Sequence, residues 1–283
     1  MARYELELQA LPHDMDHPEG VAVAPNGLVH AGGEAGQIYR IDLEAGSCEV
    51  IADTGGFITG LAHDAAGNIY ACDVGNQAVM RISPDGVIDV YSKGNADQRM
   101  RVPNYPAFDS AGNLYVSDSG AWAQRDGFVW RIRPGGQAEI WDRQARGFTN
   151  GLCLTPDGQA LIVVESSAPC IARIPIEADG SAGRRELLLD LPRSVPDGVA
   201  FDCEGRLYIS VYTPSIIYRL ERDGSLTTLY EEWERFLLDS ATNVAFAGPE
   251  LKTLLIANLD GRKLLRASLQ VPGHPLNYPQ LAD

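Results

Sequence analysis

No stretch of this chain approaches the roughly 20 consecutive apolar residues of a membrane-spanning helix, so a helical span is not expected. Residues 1–8 alternate polar and apolar side chains and lack the apolar core of a secretory signal. The five cysteines (Cys48, Cys72, Cys153, Cys170, Cys203) are odd in number and show no CxxC spacing, which argues against a disulfide frame or a thiolate zinc site. They read as reduced core residues of a cytoplasmic protein. Positive charge is also scarce: 23 Lys and Arg stand against 38 Asp and Glu, a net charge of −15. Nucleic acids and other polyanions are therefore disfavoured as partners. Histidines are few, and His13, His17, His30, His63 and His274 share no common position in the pattern described next. Helical periodicity is missing as well, apart from a short candidate at residues 231–238.

What the chain does have is a repeat. A motif of the form ligand-type residue, Gly, apolar, Ala, closing about eight positions later on Gly, begins at Glu19, Thr59, Asn104, Asn150, Asp197 and Thr242. These starts lie 40, 45, 46, 47 and 45 residues apart, the period of one four-stranded propeller blade. Within each period the grammar is strand, Asx-Gly turn, strand, as in Val21-Ala22-Val23-Ala24, Pro25-Asn26-Gly27 and Leu28-Val29-His30-Ala31. A third strand with a central arginine follows (Arg40, Arg81, Arg131, Arg173, Arg219, Arg266), its side chain facing solvent or the adjacent blade. Most blades end with a fourth strand. The expectation is an all-β, six-bladed β-propeller with four antiparallel strands per blade, occupying residues 1–283 as one domain. The last blade is one strand short before the Pro-rich tail, so a strand at residues 4–8 is expected to pair there and close the ring.

A propeller places equivalent positions of every blade at one height around its axis. Glu19, Asn104, Asn150 and Asp197 should therefore converge, offering two carboxylates and two amide oxygens to a hard cation. No His or Cys occupies any of the six equivalent positions, which makes zinc the poorer fit. The alternative is that Asn150-Gly151 and Asp197-Gly198 are ordinary turns. Near the end of the second strand come Asp73, Asp118, Glu165 and, in the fifth repeat, Tyr212. These read either as groups supporting the ligands or touching substrate, or as solvated strand-end residues. The polar segment 92–101 leads into Asn104 and is placed to fold over the mouth as loop 92–103, bringing Arg99 or Arg101 to substrate, or simply to remain exposed. Trp122 fits an apolar wall or the core equally well.

These residues resemble the regucalcin/gluconolactonase family of six-bladed propellers along essentially the whole chain. The resemblance is carried by His17-Pro18-Glu19-Gly20, Val102-Pro103-Asn104, Thr149-Asn150-Gly151-Leu152, Val195-Pro196-Asp197-Gly198 and Thr242-Asn243-Val244-Ala245-Phe246. It implies a metal-dependent lactonase acting on sugar lactones. Glu19, Asn150 and Asp197 would hold Ca²⁺, or Zn²⁺, Mn²⁺ or Mg²⁺. Asn104 would be a ligand or substrate contact and Asp197 the general base. Two departures alter the pocket: Tyr105 stands where such lactonases often carry Asp, and Val211-Tyr212-Thr213-Pro214 replaces a Trp- and Gly-containing stretch. Tyr105, Arg101, Asp118, Glu165 and Tyr212 are the expected substrate contacts. The rival readings are an organophosphate or aryl-ester hydrolase with the same site, a non-catalytic calcium-binding propeller, and a strictosidine synthase-like propeller, which would leave the four ligands unexplained.

Overall fold

The computed structural model describes residues 4–281. Six antiparallel four-stranded sheets follow one another along the chain, forming a six-bladed β-propeller. The innermost strands are Val21–Val23, Ile58–His63, Pro103–Phe108, Thr149–Leu154, Val195–Phe201 and Ala241–Ala247. Each is followed by the turn whose closing glycine the repeat marks. Gly27, Gly67, Gly112, Gly158 and Gly205 have φ between 67° and 86°, where a side chain would be strained. Inner and second strands are buried on both faces because each blade packs against two neighbours. One such interface joins Tyr70, Cys72 and Val79 of blade two to Phe108, Val116 and Trp130 of blade three.

The third-strand arginines lie across from carboxylates of the outer strand. Arg40 meets Glu49, Arg131 meets Glu139 and Arg173 meets Glu186, all at the partly exposed rim. Such pairs are each worth about 0–1 kcal/mol. Among the described residues no helix is long and apolar enough to cross a membrane.

Three expectations need correcting. The closing strand does sit on the last blade, but it is Gln9–Ala10 pairing with Arg266 and Leu265, and residues 4–8 are not a strand. Leu6 and Leu8 instead bury themselves among Tyr208, Ile217, Leu254 and Leu265. Full burial of two leucines contributes about 1.5–3 kcal/mol each, outweighing the two or so hydrogen bonds that further pairing would add. Residues 231–238 form no helix: the outer strand runs to Glu232, and the Glu232 carboxylate then accepts the N–H groups of Leu237 and Leu238. Finally, the cysteines are all free, but Cys203 is exposed, so it is not a core residue.

Beyond the last blade, the tail runs across the base of the ring. Gly273 N–H bonds to Leu251 and His274 N–H to Phe201, while Tyr278 donates to the Val23 carbonyl and Asn277 to that of Phe108.

Candidate functional site

The six repeat starts meet around the axis, and the contacts can be followed from blade to blade. Thr242 Oγ1 donates to the Glu19 carbonyl at 2.7 Å, and Thr59 Oγ1 donates to that of Asn104 at 2.8 Å. The two threonines that break the ligand pattern thus fix the backbone of two candidate ligands. Glycine follows the start where strands approach closest: a Cβ on Gly20 would lie 2.4 Å from the Thr59 carbonyl oxygen, and one on Gly151 2.3 Å from that of Asp197. Asn150-Gly151 and Asp197-Gly198 are therefore not turns; both pairs lie inside strands. Gly151→Ala is expected to cost about 1–3 kcal/mol by forcing two backbones apart. Thermal unfolding measures this, and a variant melting like the parent would show that the blades do not touch there.

Each of these strands is irregular at the site. Pairing with the second strand shifts between Pro103 and Pro106, between Thr149 and Leu152, and between Pro196 and Val199. A bulge bends the strand and re-aims its side chains, here toward the axis. Serines of the second strand accept the freed backbone donors: Ser117 Oγ takes the Tyr105 N–H at 3.0 Å, and Ser210 Oγ the Gly198 N–H at 2.9 Å. Further serines orient the amides. Asn104 Nδ2 donates to Ser119 Oγ at 3.1 Å and Asn150 Nδ2 to Ser166 Oγ at 3.0 Å. With its nitrogen tethered, Asn150 Oδ1 is left buried and without a hydrogen-bond partner.

Glu19 and Asp197 are unpaired acids in the same place. Burial, with the charges of Asp260 and Glu34 adding to it, pushes the Glu19 carboxyl up to about 8. Burial also raises Asp197 well above the usual carboxylate range; the Glu19 charge adds to this, and a hydrogen bond from the Asn150 side chain pulls the other way. Among the described residues no lysine or arginine compensates either group. The buried Asp197, the half-buried Glu19 and an orphaned amide oxygen form a donor set that lacks only positive charge, and its oxygens are those a hard divalent cation takes. Tyr212 stands beside them. Burial and the Asp260 charge raise its hydroxyl pKa, with Glu19 contributing. A separate group at the rim of blade one, Asp16, His17 and Glu34, is satisfied internally by His17 Nδ1 lying 3.0 Å from both carboxylates.

The other expected contacts turn out differently. Asp73, Asp118 and Glu165 are fully buried, with their oxygens engaged by protein donors. Asp118 accepts the N–H groups of Arg101 and Val102 and the Trp130 indole. Glu165 accepts those of Arg146 and Gly147 and pairs with Arg185. These acids hold the loops that enter Asn104 and Asn150, and neither Asp118 nor Glu165 has an oxygen left for substrate. Arg101 is clamped on Asp126 at 2.6 Å, and Arg99 is exposed. Trp122 is 51 % exposed and packs against Phe148, two residues before Asn150, with ring centres 5.0 Å apart and planes tilted by 60°, so it is a rim wall and not core.

Tyr105 does not face the mouth. Its hydroxyl reaches Asn243 Oδ1 at 3.3 Å, from blade three to the diametrically opposite blade six. A cavity of about 900 Å³ lies toward the base and is lined by Tyr105, Cys153, Val199 and the tail. None of the four candidate ligands lines that cavity.

Residues missed in the sequence include Ser119 and Ser166, at 15 and 16 positions after their repeat starts, and Asp260, which accepts from Ser240 at 2.6 Å. The near-constant offset of the serines was the available signal.

Fold and oxygen-lined mouth together place the chain among six-bladed β-propellers. It belongs to the SMP-30/gluconolactonase/LRE-like family, whose model matches residues 88–259. A strictosidine synthase-like N-terminal model matches residues 5–41. The chain is 28 % identical over 246 residues to a 6-deoxy-6-sulfogluconolactonase of Pseudomonas putida, covering 79 % of this chain and 76 % of that one. It is 24 % identical to a pentonolactonase of Haloferax volcanii, covering 81 % and 76 %. In fold it resembles a gluconolactonase of Xanthomonas campestris (TM-score 0.80, 22 % identity, 94 % and 90 % covered). It also resembles a calcium-binding regucalcin of Agrobacterium tumefaciens (TM-score 0.82, 18 % identity, 99 % of each chain).

Proposed function

We propose that this protein is a divalent-cation-dependent lactonase that opens sugar lactones. The observation carrying this reading is the uncompensated oxygen set at the axial mouth, buried Asn150 and Asp197 with half-buried Glu19. The names of the two lactonase relatives support the reaction class. Glu19, Asn150 and Asp197 would hold the cation, with Asn104 as a fourth ligand or a contact to substrate. Calcium suits an all-oxygen set with room for water, and Mg²⁺, Mn²⁺ and Zn²⁺ are the other candidates. When bound, the cation supplies Lewis-acid polarisation of the lactone carbonyl and keeps the neighbouring carboxylates ionised.

Asp197 serves as general base, taking a proton from the attacking water within hydrogen-bond reach. The water oxygen bonds to the carbonyl carbon, the ring C–O ester bond breaks, and the ring oxygen leaves as an alcohol carrying a proton returned from Asp197. The product is the open hydroxy acid. Asn104 and Asn150, held by their serines, need no reorganisation as charge develops on the carbonyl oxygen. Tyr212 and the Trp122–Phe148 pair flank the mouth where the sugar would lie.

The direct test is acid release from five- and six-membered aldonolactones, followed with a pH indicator in the presence of calcium. Turnover that stops on chelation and resumes on re-addition is the expected result. Brisk metal-dependent cleavage of aryl phosphotriesters with inert lactones would assign the site to ester chemistry at phosphorus. Silence on both panels with metal bound would leave a calcium-binding propeller without catalysis.

A further inference from the structure

A second cleft, of about 320 Å³, opens on the mouth face between blades three and four. Three loops build it. Gln98 and Arg101 come from the segment entering Asn104, Asp126 and Phe128 from the next loop of blade three, and Arg143 and Arg146 from the segment entering Asn150. In a chain of net charge −15 this is an unusual place: three guanidinium groups face one carboxylate. Arg101 is the fixed member. Its Nη1 and Nη2 bond to the Asp126 carboxylate and carbonyl at 2.6 and 2.8 Å, while its Nε is buried and has no partner. Arg143 lies 5.3 Å from the centre of the Phe128 ring, with Arg101 at 5.8 Å. Arg143 and Arg146 are exposed and belong to no ion pair among the described residues, unlike the rim arginines paired across their strands.

The cleft adjoins the axial site. Gly127 in its wall packs so closely on Thr149 that a Cβ there would lie 2.4 Å from Thr149 Oγ1. The Thr149 carbonyl in turn accepts from Ser119, the serine that tethers Asn104. Arg146 precedes Asn150 by four residues, at most about 13 Å of extended chain, much of which an arginine side chain spans.

We infer that this cleft receives an anionic substituent of the lactone, a sulfonate, phosphate or carboxylate carried at the end remote from the ring carbonyl. The inference rests on the lactonase reading above. Guanidinium forks match oxyanions of this geometry, and two of the three carry no competing carboxylate. Arg101, clamped by Asp126, forms the preorganised wall against which Arg143 and Arg146 close.

The experiment compares kcat/KM for neutral and anionic lactones of the same ring, using calcium-loaded protein and an Arg143→Ala/Arg146→Ala double variant. The parent should prefer the anionic lactone by about tenfold or more, as expected of charge-assisted hydrogen bonds. In the double variant that preference should collapse, mainly through KM. Added salt should erode it in the parent. Ranking the sulfonate, phosphate and carboxylate forms identifies which oxyanion fits. Inorganic sulfate titrated by calorimetry should bind the parent and not the double variant. Equal lactone preference in both proteins, or equal sulfate binding, overturns the inference. Should no lactone turn over at all, the lactonase reading fails, and the sulfate titration alone still decides whether the cleft binds anions.

Discussion

Asp197→Asn should lower kcat for lactone opening by at least about 10²-fold, the range of lost general-base catalysis. The substitution keeps an oxygen that can ligate a cation but removes the only function an amide cannot supply, acceptance of the water proton. Backbone placement should survive, because Ser210 and the close contact between Gly198 and the carbonyl of Thr242 fix the bulge irrespective of the side chain. Calcium binding by the variant, followed by calorimetry, separates the two roles. A variant that binds calcium and turns over slowly supports Asp197 as base. One that binds calcium and turns over at the parental rate places the base elsewhere. One that loses calcium altogether calls for Glu19→Gln and Asn150→Ala as companions, which should lose metal while remaining folded.

Chelation is the second large effect. Removing the divalent cation should abolish hydrolysis and lower the melting temperature, since a ligand bound only by the folded state stabilises it, by about 2.7 kcal/mol at a hundred times its Kd. The effect should depend on pH in a defined direction. Glu19 is raised from an ordinary carboxyl value to about 8 by burial and by the charges of Asp260 and Glu34. In the cation-free protein the folded state therefore binds a proton that the unfolded state has already released between about pH 4.5 and 8. Stability of the cation-free fold is highest below that window and falls as pH rises through it. Cation binding must displace the proton, so affinity should climb over the same window and protons should be released on titration. Melting curves with calcium and with chelator should diverge progressively from pH 5 to pH 8. Parallel curves across that range would mean that Glu19 is not a ligand.

The architecture was legible because six copies of one pattern each carried the same information. The closing glycines at Gly27, Gly67, Gly112, Gly158 and Gly205 fixed the blade period before any strand was seen. The converging starts were legible for the same reason. What a repeat does not encode is contact between positions far apart in the chain. Asp118 and Glu165 stand at neighbouring offsets, 14 and 15 residues after their repeat starts, which left open whether they face substrate; their burial under the loops of Arg101 and Arg146 depends on loop paths that differ from blade to blade. The alternation at residues 4–8 reads as a strand, but burial and strand pairing leave the same trace in sequence: Leu6 and Leu8 are buried without forming one, and the pairing fell on Gln9–Ala10. Arg143 and Arg146 passed unnoticed because they come together with Arg101 only through loops some forty residues apart.

A ring of blades leaves a central channel, and Tyr105, in reaching across to Asn243, ties blade three to blade six within it. In the lactonase reading proposed above, substrate, attacking water and the newly made acid would use the opening beside Trp122, Tyr212 and the arginine cleft. A product leaving as an anion would pass Glu34 and Asp260, the two acids whose charges act on Glu19. Repulsion from those carboxylates would favour release of a carboxylate formed beside Glu19, whereas the arginine cleft would hold an anion at the remote end of the sugar.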